Sequence, residues 1–289
     1  MIQNLPMIES KAPHARRGRR LIRLLLAIAA ASVVTTAIAG TEKVVLPGHV
    51  QQGAMVIGRV PAGSRVVYDG RTLDVTDYGT IVFGVGRDAR GSARVAITLP
   101  DGQSRRVAVE IRPRDFPVER VNGVPPKTVS PPPAIAERIA REQQAVSRAR
   151  ATSNRGLGFA QHFIWPVEGR ISGRFGNQRI YNGTPGSAHS GMDIAAATGT
   201  PVKAPASGKV VLAEPDLYLT GGTVLIDHGY GIGSNFLHLS RLEVAVGDTV
   251  EQGEIIGAVG ATGRATGPHL HWGMTWFSTR IDPLLVLQR

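Results

Sequence analysis

Histidine is the residue type in this sequence that most clearly suggests chemistry. Of the eight histidines, five fall between positions 189 and 271. His189 and Asp193 lie four residues apart, in a segment whose glycines and proline indicate a loop that leads into a strand. His269 and His271 flank Leu270, and residues i and i+2 of a strand point to the same face. Both imidazoles are therefore expected to enter one cleft, while Leu270 enters the core.

A further histidine, His238, stands between two leucines. Strand alternation predicts that Leu237 and Leu239 face the core and that His238 faces the opposite side. Two histidines and an aspartate offer three ligands that suit tetrahedral zinc, and a fourth position left to water is typical of a catalytic zinc site. Bound zinc lowers the pKa of its water to about 7 and polarises a carbonyl. The pattern therefore indicates a metal-dependent hydrolase, in which the remaining histidines are available as a base or a proton shuttle.

The composition excludes other chemistries. The 289 residues contain no cysteine, which rules out a disulfide scaffold, a thiol nucleophile and any cysteine-based metal site. The formal net charge is +11, but residues 1–39 hold six Lys and Arg against Glu9 alone, a net +5, which leaves +6 for the rest of the chain. Because nearly half of the net charge lies in residues 1–39, the composition does not favour a nucleic-acid partner.

The N-terminal segment has the pattern of an export signal. A basic run leads into a largely apolar stretch, 24–39, which ends in Ala37-Ile38-Ala39 before Gly40. This is the small-x-small pattern of a signal peptidase site. Sixteen residues are fewer than the roughly 20 that span a bilayer, so residues 1–39 are predicted to be a signal peptide or an uncleaved anchor. In either case residues 40–289 are expected to be exported, with membrane association only through an uncleaved segment.

The sequence of residues 40–289 predicts a mainly β fold. Short β-branched runs separated by Asp69-Gly70 and Asp101-Gly102 turns predict a small β-sandwich over 43–115. Residues 116–154 are predicted to be a proline-rich linker with a helix, since apolar residues recur there at helical spacing. Glycine-broken strands return over 155–289 and predict an antiparallel β domain that carries the histidines.

The histidine motifs resemble those of the lysostaphin-type zinc metallopeptidases, family M23. The resemblance covers roughly 160–286: it includes the His189-x-x-x-Asp193 motif, the segment 236–239, the stretch 199–210, and a near-complete match over 260–271. It implies that His189, Asp193 and His271 bind one zinc ion, while His269 and His238 are unliganded catalytic residues. It also implies an antiparallel β domain with the site in a groove.

The function implied by this resemblance is hydrolysis of peptide bonds in peptidoglycan stems or cross-links, in the periplasm or cell envelope. The alternative is a masked or vestigial wall-binding module that activates other hydrolases, with Asn182 as a possible inhibitory fourth ligand. The sequence leaves open whether Arg174, Arg179 and Arg264 meet substrate carboxylates or solvent.

Overall fold

The computed structural model describes residues 43–288, so the predicted export segment, residues 1–39, lies outside the described residues. The strands of the first half are β1 (His49–Gln51), β2 (Met55–Arg59), β3 (Arg65–Tyr68), β4 (Arg71–Leu73), β5 (Thr80–Gly84), β6 (Ser92–Thr98), β7 (Ser104–Arg112) and β8 (Val118–Val121). The helices are α1 (Pro133–Ala151) and α2 (Pro283–Leu287), with single 3-10 turns at Pro126–Thr128 and Gly158–Ala160. The strands of the second half are β9 (Arg170–Gly173), β10 (Gln178–Tyr181), β11 (Thr184–Ala188), β12 (Met192–Ala195), β13 (Pro201–Lys203), β14 (Gly208–Leu217), β15 (Gly221–Gly229), β16 (Ile232–Leu239), β17 (Arg241–Leu242), β18 (Thr249–Val250), β19 (Ile255–Ala258), β20 (His269–Trp276) and β21 (Thr279–Ile281).

The N-terminal β region consists of a five-stranded sheet, in the order β1-β7-β6-β3-β4, and the antiparallel pair β2-β5. Strand β6 alternates strictly between buried and exposed residues, which places its Val and Ile side chains in the core. The turn between β3 and β4 has positive φ at both Asp69 and Gly70 (49° and 72°), as a two-residue hairpin turn requires. The predicted mainly β fold is confirmed.

The C-terminal β region is built on an eight-stranded sheet in the order β18-β14-β15-β16-β20-β12-β9, with β21 paired to β20. Every residue of β15 is buried, because the sheet is covered on both faces at its centre. Strands β12, β16 and β20 lie side by side in this sheet and carry three of the sequence motifs. A sheet of this kind fixes the relative positions of side chains on neighbouring strands through its register.

The two β regions share one hydrophobic core. Strand β5 packs against β20 and β21 so closely that a Cβ added to Gly84 would lie 2.7 Å from the Cβ of Trp276. Arg114, just after the N-terminal sheet, forms an ion pair of 2.8 Å with the buried Asp282. The strand that carries the histidines therefore also packs against the N-terminal region.

The linker takes part in the fold on both sides of the proline-rich stretch. Strand β8 pairs in parallel with β10, within the three-stranded sheet β11-β10-β8. Helix α1 packs on the eight-stranded sheet, with Val146 and Ala149 against leucines of β14 and β15. Within residues 43–288, no helix is long and apolar enough to cross a membrane.

Candidate metal centre and histidine pair

Two adjacent strands and one loop bring His189, Asp193 and His271 together. Asp193 on β12 and His271 on β20 are direct partners in the antiparallel register, so their side chains stand next to each other on one face. His189 lies in the loop before β12, where its backbone N–H donates to the carbonyl of Asn177 at 2.8 Å. All three side chains are buried.

The facing atoms of these three residues form a small triangle. His189 Nε2 lies 3.0 Å from Asp193 Oδ1 and 3.0 Å from His271 Nδ1, and the latter two atoms are 2.8 Å apart. Ligands of a tetrahedral ion with metal–ligand bonds of about 2.0 Å are separated by about 3.3 Å, which is close to these spacings. The cluster is thus able to hold a metal ion with one atom from each residue.

The protonation of His189 supports this fit. Its Nδ1 lies 2.9 Å from the carbonyl oxygen of Arg174, and because a carbonyl only accepts, Nδ1 carries the proton. In the neutral ring, Nε2 then presents a lone pair towards Oδ1 of Asp193, which is also an acceptor. A cation between the two atoms resolves this contact, and the hydrogen bond to a backbone carbonyl is the usual support of a metal-ligating histidine.

The charges of the other two cluster residues suit the same role. Burial acts to raise the pKa of Asp193, but the neighbouring rings of His189 and His271 lower it, and the net shift is well below its usual value. Burial lowers the pKa of His271 to about 4, so its ring is neutral at neutral pH. The centre therefore combines the Asp193 carboxylate with a neutral His271 imidazole, the forms in which these two side chains bind a divalent metal.

His269 and His238 form a second pair at the edge of this cluster. Their ring centroids are 4.8 Å apart. Each Nδ1 lies near a backbone carbonyl, 2.7 Å from Thr262 for His238 and 2.8 Å from Gly267 for His269. Both Nδ1 atoms therefore donate, and both Nε2 atoms are left for other partners. Burial, followed by the nearby His269 and His271 rings, lowers the pKa of His238 to about 3, so this ring stays neutral.

A β-bulge, rather than simple alternation, directs His238 into the cleft. Gly222 and Val224 of β15 pair with Leu239 and Phe236, so two residues of β16 stand opposite one. His238 adopts φ = +65° there, a left-handed conformation that non-glycine residues rarely take. The expectation that Leu237 faces the core is wrong: Leu237 is only half-buried and lines the cleft together with His238. Bulges beside active sites commonly redirect a side chain in this way.

Arg179 holds the outer oxygen of Asp193. Its Nη2 donates to Asp193 Oδ2 at 2.5 Å, and its Nε lies 3.4 Å from the carboxylate of Glu119 on β8. Burial acts to lower the pKa of Arg179, but the Asp193 carboxylate outweighs this and raises it. Because β8 pairs with β10, the linker supplies the second carboxylate of this network.

The structure also places the other residues that the sequence left open. Arg264 stacks on the ring of Tyr181 at 4.3 Å and donates to the carbonyl of Thr128. Asn182 donates through Nδ2 to the carbonyl of Val124 at 2.8 Å, so its amide is engaged by the linker. Sequence reasoning missed Glu119. It lies in a short segment between prolines that has no catalytic motif.

His228 belongs neither to the His189-Asp193-His271 cluster nor to the pair formed by His269 and His238. Its ring is fully buried in the core, with Nδ1 2.9 Å from the carbonyl of Ser207 and Nε2 2.8 Å from Oγ of Ser234. Burial lowers its pKa to about 4. A neutral ring with both nitrogens hydrogen-bonded has a structural role.

Comparison with known proteins places this site in a family. The model of peptidase family M23 matches residues 187–283. A Pseudomonas aeruginosa protein whose crystal structure is described as that of an M23 peptidase superposes with a TM-score of 0.64 and 31% identity, over 82% of this chain and 94% of that chain. The chain belongs to peptidase family M23.

Two curated relatives match this chain over shorter segments. The cell division protein DipM of Caulobacter vibrioides is 35% identical over 167 residues, 56% of this chain and 26% of DipM. The peptidoglycan DD-endopeptidase ShyA of Vibrio cholerae is 41% identical over 111 residues, 37% of this chain and 26% of ShyA. The chain thus spans about a quarter of the length of these curated relatives.

Proposed function

We propose that this chain is an exported zinc-dependent endopeptidase of the cell envelope that hydrolyses peptide bonds of peptidoglycan stems or cross-links. The observation that carries the proposal is the triangle of His189 Nε2, Asp193 Oδ1 and His271 Nδ1, with separations of 2.8 to 3.0 Å. The similarity to ShyA, named a peptidoglycan DD-endopeptidase, supports the substrate class. Residues 155–289 would be the catalytic part, preceded by the β-sandwich region and the linker.

In this proposal His189, Asp193 and His271 hold zinc. Bound zinc would polarise the scissile carbonyl and make its water a nucleophile at neutral pH. The two nitrogens and one carboxylate oxygen are the ligand types that zinc takes in hydrolases, and they leave a position for water or substrate. Arg179 fixes the carboxylate by holding Oδ2, which leaves Oδ1 for the metal.

The pair formed by His269 and His238 would transfer the proton of the attacking water. His269 Nε2, 3.9 Å from Asp193 Oδ1, is placed to accept the proton of the attacking water and to pass it to the leaving amine. His238 stays neutral, so its Nε2 accepts a hydrogen bond and orients the reacting groups.

The test of this proposal separates metal binding from turnover. Purified residues 40–289 are incubated with isolated peptidoglycan, with zinc or with a chelator, and the released muropeptides are compared. His271→Ala is expected to lose both zinc and activity. His269→Ala is expected to keep zinc and to lose turnover by about 10²- to 10⁴-fold. The exposed His162→Ala serves as the control variant and should behave as the wild type.

Two outcomes would count against the proposal. An unchanged muropeptide profile in the presence of zinc would oppose the endopeptidase activity. Loss of zinc by His269→Ala would show that the residue roles are assigned wrongly. The intact set of five residues does not favour the alternative of a vestigial module.

A further inference from the structure

A second cavity adjoins the histidine cleft beneath helix α1. It has a volume of about 340 Å³ and lies between α1 and the eight-stranded sheet. Ser190, Thr220 and Arg280 line both this cavity and the cleft of about 460 Å³ that contains His189 and His271. The two spaces therefore lie side by side, with Arg280 at the boundary between them.

Two arginines from different elements enter this cavity. Arg280 belongs to β21 and Arg150 to the last turn of α1. Neither forms an ion pair within 4.0 Å in the described part of the chain, in contrast to Arg138 of the same helix, which binds Glu142 and Asp216. The acidic residue that lines the cavity, Glu142, is already engaged, since its other oxygen accepts from the backbone N–H of Tyr218 at 2.8 Å.

The local surroundings show that these charges are poorly compensated. Burial, and then the positive charge of Arg280, lower the pKa of Arg150 to about 9. Burial alone lowers the pKa of Arg280. Both arginines are partly buried, and a cation drawn away from water without a carboxylate partner lowers the stability of the fold. Two such cations side by side indicate a site that a negative group occupies.

Unused hydrogen-bond donors converge on the same place. Nη1 of Arg280 and Nδ2 of the buried Asn235 have no hydrogen-bond partner within residues 43–288. Asn235 on β16 pairs with Gly273 of β20, and Thr275, two residues further along β20, pairs with Arg280 of β21. By strand alternation these residues share the face of the sheet that carries His271. Helix α1 closes the cavity over them.

We propose that Arg280, Arg150 and the Asn235 amide form a subsite that binds a carboxylate of the substrate peptide beside the catalytic cleft. The guanidinium of Arg280 offers the planar donor fork that suits a carboxylate, and the amide supplies a further donor. The stem peptides of peptidoglycan carry carboxylates on acidic residues and at their ends, so the substrate brings the required group. This inference rests on the proposed function and adds a determinant of substrate choice.

The experiment uses one cross-linked muropeptide in two forms, native and after coupling of its carboxylates to methylamine. Arg280→Met is expected to raise KM for the native form by about 10- to 100-fold, since hydrogen bonds to charged groups contribute about that factor. Arg280→Lys, which keeps the charge but loses the fork, should lie between the wild type and Arg280→Met. The difference between wild type and Arg280→Met should disappear with the modified muropeptide, at unchanged zinc content. The exposed Arg148→Met on the same helix is the matched control.

A binding measurement keeps this test separate from turnover. Zinc-loaded His269→Ala protein, with and without Arg280→Met, is titrated with both muropeptides by calorimetry. Tighter binding of the native form that depends on Arg280 supports the subsite, even if the bond that is cleaved differs from the one expected. No binding by the His269→Ala protein, or an equal effect of Arg280→Met on both muropeptides, would overturn it. Failure of the proposed function would instead appear as binding of the native form without hydrolysis by the wild type.

Discussion

Arg179 and Arg280 both line the cleft of the candidate metal centre, yet their electrostatic environments are opposite. Arg179 lies between two carboxylates, those of Asp193 and Glu119. Arg280 has no acidic partner within 4.0 Å among the described residues, and Arg150, which lines the same cavity, is also a cation. The charge of Arg179 is thus compensated within the folded chain, whereas Arg280 has no counterion among the described residues.

This difference separates two uses of a buried charge. An ion pair that is fully formed in the fold fixes the geometry of its partners, and removing one member leaves the other buried without compensation. A cation that the fold leaves unpaired lowers the stability of the free protein but is ready for an anionic ligand. We therefore expect substitutions at the two arginines to have opposite effects on stability and to affect different ligands.

The largest effect is expected for Arg179→Met. The change leaves the buried Asp193 and the partly buried Glu119 without their shared cation, so stability in a chelator should fall by about 3 kcal/mol. Zinc affinity should fall by about 10- to 100-fold, because Arg179 holds the outer oxygen of a metal ligand. Competition with a chromogenic chelator and thermal unfolding measure the two quantities. The exposed Arg170→Met on β9 is the control, and an unchanged zinc affinity of Arg179→Met would show that the network does not position Asp193.

A smaller effect is expected for Glu119→Gln, which removes the charge from the far side of Arg179. In the wild type, Asn177 donates to the Glu119 carboxylate at 2.6 Å, and the amide oxygen of the glutamine is able to accept the same hydrogen bond. The variant therefore tests the contribution of the negative charge alone. The contact to Arg179 is 3.4 Å long and partly exposed, and such pairs contribute about 0.2 to 1 kcal/mol. Zinc affinity should therefore fall by about two- to fivefold in the same competition assay. The exposed Glu110→Gln on β7 should have no effect, and a loss as large as that of Arg179→Met would mean that Glu119 supports the site in another way.

Regular strand geometry explains what the sequence allowed us to predict. The burial of Leu270 between His269 and His271 follows from the two-residue period of β20. The alternation of β6 likewise identifies its buried face. The presence of helix α1 (Pro133–Ala151) within the linker follows from the helical spacing of its apolar residues.

The features that sequence reasoning missed depend on departures from the two-residue period of a strand, or on pairing between segments far apart in the sequence. The bulge at His238 reverses the expected direction of the Leu237 side chain. No local sequence pattern predicts this bulge. Strand β8 is a short charged segment between prolines, and it becomes a strand only by pairing with β10, about 60 residues further along the chain. The partners of Arg179 and the missing partners of Arg280 are equally non-local. Local patterns predict elements and candidate ligands, whereas charge compensation emerges only from the folded chain.

The smallest predicted effect is a gain in stability for Arg280→Met. Methionine keeps most of the apolar stem and removes a partly buried charge that has no ion-pair partner within residues 43–288, so the zinc-loaded protein without substrate should be about 1 kcal/mol more stable. For a protein of this size that corresponds to a rise in Tm of about 2 to 4 °C, measurable by calorimetry beside Arg148→Met. The same variant is expected to bind the native muropeptide less tightly, so a functional subsite would reduce the stability of the free fold. A decrease in Tm for Arg280→Met would show that the fold itself stabilises this charge, and the contrast with Arg179 would then be lost.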